Sequence, residues 1–79
     1  MLEIHPSARK LGITDEDIEH AVTYAIAIDD THDDARLYIG PAHNAALLEV
    51  LTIPAIEGSE LAVHAMRMRP KYRGLLAEY

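Results

Sequence analysis

The spacing of apolar residues changes from threes and fours to twos along the chain, dividing it into a helical first third and a strand-rich remainder. Ile18, Ala21, Val22, Ala25 and Ile26 fall at i, i+3, i+4, i+7 and i+8, one apolar stripe of an amphipathic helix. Thr14 stands at the N-cap position of that helix. Asp15, Glu16 and Asp17 follow it, in the turn where the helix dipole favours anions. Upstream, His5 to Gly12 reads as a shorter helix, with Arg9 and Lys10 near its end and Gly12 as its stop. Downstream, Asp29-Asp30-Thr31-His32-Asp33-Asp34 reads as a polar loop. It is as acidic as a calcium loop but lacks the central glycine and distal glutamate that such a loop requires.

From Arg36 onward the composition is that of strands. Arg36 to Gly40 forms the first, Pro41-Ala42-His43-Asn44 a turn, and Ala46 to Ile53 the second. Pro54 and the Glu57-Gly58-Ser59 cluster end that strand, and Glu60 to Met68 forms a third. Pro70 suits the first turn of a last short helix, Lys71 to Glu78. The expected fold is α+β: two N-terminal helices packed on a three-stranded antiparallel sheet, with a short C-terminal helix. No internal repeat or linker interrupts the chain, so residues 1–79 are read as a single domain.

Seventy-nine residues make a small core. A domain of this size buries only about 60–65 % of the surface its unfolded chain exposes. Four tyrosines, with no Phe or Trp, add little large apolar area. A homodimer or a hetero-oligomer with a protein partner is therefore expected. The absence of cysteine excludes disulfides and thiolate zinc sites. No uninterrupted apolar run approaches a membrane span, and Met1-Leu2-Glu3-Ile4-His5 does not have the order of a signal peptide. A cytoplasmic protein that makes no membrane contact is the expectation.

The net charge of -6 is unevenly spread. Residues 1–34 hold nine acids against Arg9 and Lys10, whereas residues 35–79 hold five bases against four acids. Arg67, Arg69, Lys71 and Arg73 alternate over seven residues with no acid before Glu78, a local positive site for a polyanion. Phosphate-cradling glycine loops, a nucleophile elbow and a helical His-Glu-x-x-His are all absent. The five histidines, at 5, 20, 32, 43 and 64, fit no recognised ligand spacing, so neither metal nor cofactor is expected. A metal or small-ligand site would need the fold itself to bring them together.

The third strand carries the candidate chemistry. Period-two alternation puts Leu61, Val63, Ala65, Arg67 and Arg69 on one face and Ala62, His64, Met66 and Met68 on the other. A histidine in so apolar a strand is either a hydrogen-bonded core residue or a group open to a cleft. In the second case His64 or Tyr72 would move protons between a ribose hydroxyl and its leaving oxygen. Arg67, Arg69 and Lys71 would bind the phosphodiester and stabilise its transition state. The chemistry is that of a ribonuclease needing no metal.

Several segments resemble those of BrnT-like toxins of bacterial type II toxin–antitoxin pairs. These are Lys10-Leu11-Gly12-Ile13-Thr14 leading into Asp17-Ile18, Arg36-Leu37-Tyr38-Ile39-Gly40, Leu47-Leu48-Glu49-Val50, and Val63-His64-Ala65 through Arg67 to Tyr72-Arg73. The resemblance implies a RelE-like fold, endoribonuclease activity on an RNA substrate, and neutralisation by a cognate antitoxin protein. The family's basic strand end maps onto Arg67 and Arg69, with Lys71 and Arg73 on the following helix as RNA-binding residues. The catalytic set is then His64, Arg67, Arg69 and Tyr72. The alternative is a non-catalytic interaction or regulatory module of the same fold.

Overall fold

Five strands hydrogen-bond into one mixed sheet in the order β1-β5-β4-β3-β2. The computed structural model describes residues 2–32 and 34–76. The strands are β1 (Leu2–Ile4), β2 (Ala27–His32), β3 (Ala35–Pro41), β4 (Leu47–Pro54) and β5 (Glu60–Arg67). Helix α1 (Asp15–Thr23) and a 3-10 turn, Pro6–Arg9, cover one face. Another 3-10 turn, Pro70–Tyr72, and the single-turn α2 (Arg73–Leu76) cover the other.

The expected two helices on a three-stranded antiparallel sheet are thus corrected at both ends of the sheet. Residues 5–12 form only the turn at Pro6–Arg9, capped by His5, whose Nδ1 accepts the Ser7 N–H at 3.1 Å. The three residues Leu2-Glu3-Ile4, too few to show a period, pair in parallel with β5. Of the acidic stretch read as a loop, residues 29–32 belong to edge strand β2, antiparallel to β3 through Ala27↔Ile39, Ile28↔Tyr38 and Asp29↔Leu37. An edge strand has one open side, and charged residues such as Asp29 and Asp30 suit it because they discourage further pairing. The C-terminal α-helix also begins at Arg73 instead of Lys71. Pro70 opens a 3-10 turn, and residues 77–79 lie outside the described residues.

Helix α1 forms where its stripe and cap predict. The Thr14 hydroxyl accepts the Asp17 N–H at 3.2 Å, and Arg9 clasps Asp15 through two bonds of 2.8 and 2.9 Å. Ile18 and Ala21 are fully buried against Tyr38, Leu48, Val50, Ala62 and Ala65, with Val22 and Ala25 beside them. The stripe stops short of Ile26, because the helix ends at Thr23 and the Ile26 N–H already donates to Ile39 at 2.8 Å. Ile26 is therefore exposed. The helix lies directly on Gly40, where an added Cβ would stand 1.9 Å from the Ala21 carbonyl oxygen.

The alternation expected for β5 is broken by a bulge. Leu51 pairs with His64 but Thr52 pairs with Ala62, so Val63 is an extra residue in the ladder. Ala62 consequently joins Ala65 under α1 instead of sharing a face with His64. The bulge is pinned from outside the ladder: Ser7 Oγ donates to the Val63 carbonyl at 2.7 Å, and the His5 N–H donates to that of Ala62 at 2.9 Å.

Ala27, Leu37 and Ile39 form the core of the second face, closed by Leu51, Met68, Tyr72, Leu75 and Leu76. Among the described residues, no helix is long and apolar enough to cross a membrane. Gly40→Ala forces a methyl group into helix backbone and is expected to cost about 3 kcal/mol. Urea unfolding followed by circular dichroism measures this; a change within about 0.5 kcal/mol would show that α1 can lift off the sheet freely.

Candidate functional site

Strand β4 is apolar from Leu47 to Leu51 except for Glu49, and the Glu49 side chain is 1 % exposed. Glu49 lies opposite Met66, and His64 lies opposite Leu51, so Glu49 and His64 are diagonal neighbours on the face that bears α2. His64 Nε2 is 3.1 Å from Glu49 Oε2. Just past β5 the Arg69 backbone N–H donates to Oε1 at 3.0 Å. Its Nε donates to Oε1 at 3.1 Å and its Nη2 to Oε2 at 2.7 Å. Each carboxylate oxygen therefore meets two donors, which uses its full acceptor capacity.

Burial by itself would push the Glu49 carboxyl up. The bonds from the Arg69 side chain and backbone and from His64 outweigh that and hold it below the usual carboxylate range. The hydrogen bonds to Glu49, and then its charge, in turn raise the Arg69 guanidinium. An ionised carboxylate only accepts, so the His64 proton facing it sits on Nε2, and in its neutral form the ring keeps its lone pair on Nδ1. The His64 side chain is 34 % exposed and that of Arg69 43 %, so both reach solvent from a buried anchor. A carboxylate that fixes an imidazole tautomer is the arrangement by which a general base is held ready.

The set continues toward α2. The Arg69 guanidinium lies 5.6 Å from the centre of the Tyr72 ring and the Lys71 ammonium 5.0 Å from it, both within cation–π range. Tyr72 also rests on the Leu37–Ile39 cluster, which keeps the ring beside Arg69.

Four of the residues expected at the site, His64, Arg69, Lys71 and Tyr72, thus come together. Arg67 does not. It lies opposite Leu48, whose side chain is buried under α1, so Arg67 is on the other face of the sheet from His64. Arg73 is exposed on α2 and joins none of the contacts of the Glu49 cluster. Glu49 is the member that sequence reasoning missed. Its signal is an acid inside the apolar run Leu47-Leu48-Glu49-Val50-Leu51, since a carboxylate in such a strand requires partners of its own.

A second polar cluster occupies the opposite end of the sheet. Glu60 accepts from the Tyr38 hydroxyl at 2.7 Å and from the buried Thr52 hydroxyl at 2.8 Å, and Arg36 stands 4.0 Å away. Burial first, then the bond to Glu60, raises the Tyr38 hydroxyl. Glu60, Thr52 and Arg36 border an open cleft of about 370 Å³ together with Asp30, Asp34 and Gly58. Among the described residues no buried side-chain polar atom lacks a partner. No family model, characterised protein or solved structure matches this chain.

A carboxyl held low in the folded state stabilises it at pH values above its unfolded pKa, and that contribution is lost as pH falls through the lower folded value. Glu49 is so held, and stability is expected to fall on acidification below about pH 4.5. In Glu49→Gln, which keeps the shape and loses the charge, stability at pH 7 is expected to drop by about 2 kcal/mol. The acid dependence of its unfolding midpoint should also flatten. A variant as pH-dependent as the wild type would assign the acid limb to other carboxylates.

Proposed function

We propose that this chain is a metal-independent endoribonuclease whose acid–base group is His64, held by Glu49 and flanked by Arg69, Lys71 and Tyr72. The observation that carries the reading is the buried Glu49 carboxylate, which orients His64 and Arg69 at once while leaving both accessible. Its bonds use the Nε–Nη2 edge of the guanidinium and leave the Nη1 edge for a phosphoryl oxygen. Lys71, beside the Tyr72 ring, adds a second cation for the same phosphate.

In the proposed reaction His64 Nδ1 takes the proton of a ribose 2′-hydroxyl. That oxygen attacks the adjacent phosphorus, and the bond from phosphorus to the 5′-oxygen breaks as Tyr72 donates a proton to the leaving oxygen. The products are a 2′,3′-cyclic phosphate and a 5′-hydroxyl end. Arg69 and Lys71 compensate the charge that builds on the phosphoryl oxygens. The resemblance of Leu47-Leu48-Glu49-Val50 and of Val63 to Arg73 to BrnT-like toxins supports the same reading. Within it, the protein acts in the cytoplasm and is neutralised by a cognate antitoxin.

Cleavage of single-stranded RNA by the purified protein, with end-group analysis, tests this. His64→Gln keeps a donor toward Glu49 but has no base, and its rate is expected to fall about 10²- to 10⁴-fold. Arg67→Ala, on the other face of the sheet, is expected to retain most of the activity. A folded wild type that cuts no RNA would sink the reading and leave a non-catalytic interaction module. Equal loss in Arg67→Ala would move the reacting centre away from His64.

A further inference from the structure

Two histidines that lie 23 positions apart in the sequence are brought into ring contact at the end of the sheet where β3 turns into β4. His20 projects from α1 and His43 from the turn after β3, with ring centres 4.2 Å apart. His20 Nδ1 is 2.7 Å from the Pro41 carbonyl oxygen. His43 Nδ1 is 2.8 Å from Asp17 Oδ1, which also accepts the His43 backbone N–H at 2.9 Å. A carbonyl oxygen can only accept, so His20 carries its proton on Nδ1. Asp17 Oδ1 already accepts the His43 backbone N–H, so it faces the ring as an acceptor as well. In its neutral form each ring therefore carries the Nε2 lone pair, and among the described residues no hydrogen bond engages either Nε2.

Imidazoles that bind transition metals almost always donate their other ring N–H to a carboxylate or a backbone carbonyl, which fixes the tautomer and raises the basicity of the ligating nitrogen. His20 and His43 show both versions of that support side by side. His64 has such support singly, from Glu49 through Nε2, but on the other face of the sheet and, among the described residues, with no second imidazole in ring contact. His5 lacks it, since its Nδ1 accepts the Ser7 N–H. Among the described residues no three His, Asp or Glu side chains converge as a closed cage. The pair accordingly suits an open site in which water completes the shell.

We propose that His20 and His43 form a two-imidazole binding site for a divalent transition cation of the zinc, nickel or copper class, with Asp17 and the Pro41 carbonyl as its supporting groups. Imidazole nitrogen selects these cations over magnesium and calcium, which prefer oxygen ligands. The site is on the α1 face, and the ribonuclease reading centred on His64 neither requires it nor is required by it. Sequence spacing gives no sign of it, because the two ligands meet only when α1 packs across Gly40.

Zinc chloride titrated into the ¹⁵N-labelled full chain, followed by long-range ¹H–¹⁵N correlation of the imidazoles, is the direct test. The Nε2 signals of His20 and His43 are expected to shift together and saturate at one zinc per chain. They should return on adding a chelator and stay in place with magnesium. In a thermal melt, nickel chloride should raise the midpoint of the wild type and lose that effect in His43→Ala, while His5→Ala keeps it. If His43→Ala melts unfolded without metal, the wild-type titration alone decides. Zinc that shifts His5 or His64 first, or no histidine, overturns the proposal, as does a nickel effect that survives in folded His43→Ala.

Discussion

Burying the Glu49 carboxylate imposes a condition that much of the molecule meets. A charge removed from water is tolerated only when its acceptor positions are filled, and two of the four donors come from Arg69 Nε and Nη2. The third is the Arg69 backbone N–H, so the path of the chain beyond β5 is set by the same carboxylate. That path places Pro70 where the next turn begins and lays Tyr72 on the Leu37–Ile39 cluster, closing the second face. The fourth donor is His64, which ties the orientation of one ring to the register of β4 against β5. Replacing a complete buried ionic set by apolar groups is often neutral or stabilising, so stability alone gives weak reason to keep one. What the set supplies that an apolar core would not is a fixed imidazole and a fixed guanidinium, both open to solvent.

The bulge at Val63 makes that arrangement compatible with the core. Unbroken alternation would place Ala62 on the face of His64 and remove it from beneath α1. With one extra residue, β5 presents Ala62 and Ala65 to the helix and still turns His64 toward Glu49. Small residues at both positions match the close approach that Gly40 allows two strands away, on β3. The N-terminal segment holds the bulge in place, since Ser7 and His5 satisfy carbonyls on β5 beside it. The 3-10 turn and the short parallel strand β1 thus support the site although they contribute no side chain to it.

Residues whose signal is local were legible in the sequence: the Thr14 cap, the Ile18 and Ala21 stripe, the Pro70 start, and the gathering of His64, Arg69, Lys71 and Tyr72. Where the sequence misled, the cause was pairing with distant residues. Leu2 to Ile4 is a strand because β5 offers an edge, and Ala27 to His32 is one because β3 does, whatever the propensity of its aspartates. The two-helix, three-stranded expectation failed on those two edges. Arg67 was placed with Arg69 by alternation. The chain leaves the ladder after Arg67, and Glu49 then draws Arg69 to the His64 side. The pairing of His20 with His43 lay beyond any reading of spacing, since it depends on how closely a helix can approach a glycine.

The acidic balance of the chain does not by itself oppose a polyanion at the His64 end. Glu60, with Asp30 and Asp34 around the cleft, stands at one end of β5 and Arg67 at the other. At roughly 3.3 Å per residue the strand separates them by about 20 Å. At physiological ionic strength exposed charges are largely screened beyond about 8 Å, so an anion near Arg69 and Lys71 is little affected by the far cleft. Three further acids are engaged: Glu49 by Arg69 and His64, Asp15 by Arg9, and Asp17 by His43. The net charge of -6 slows long-range approach of RNA. Once contact is made, the local balance at this end of the sheet is set by Arg67, Arg69, Lys71 and Arg73, whose side chains divide between its two faces.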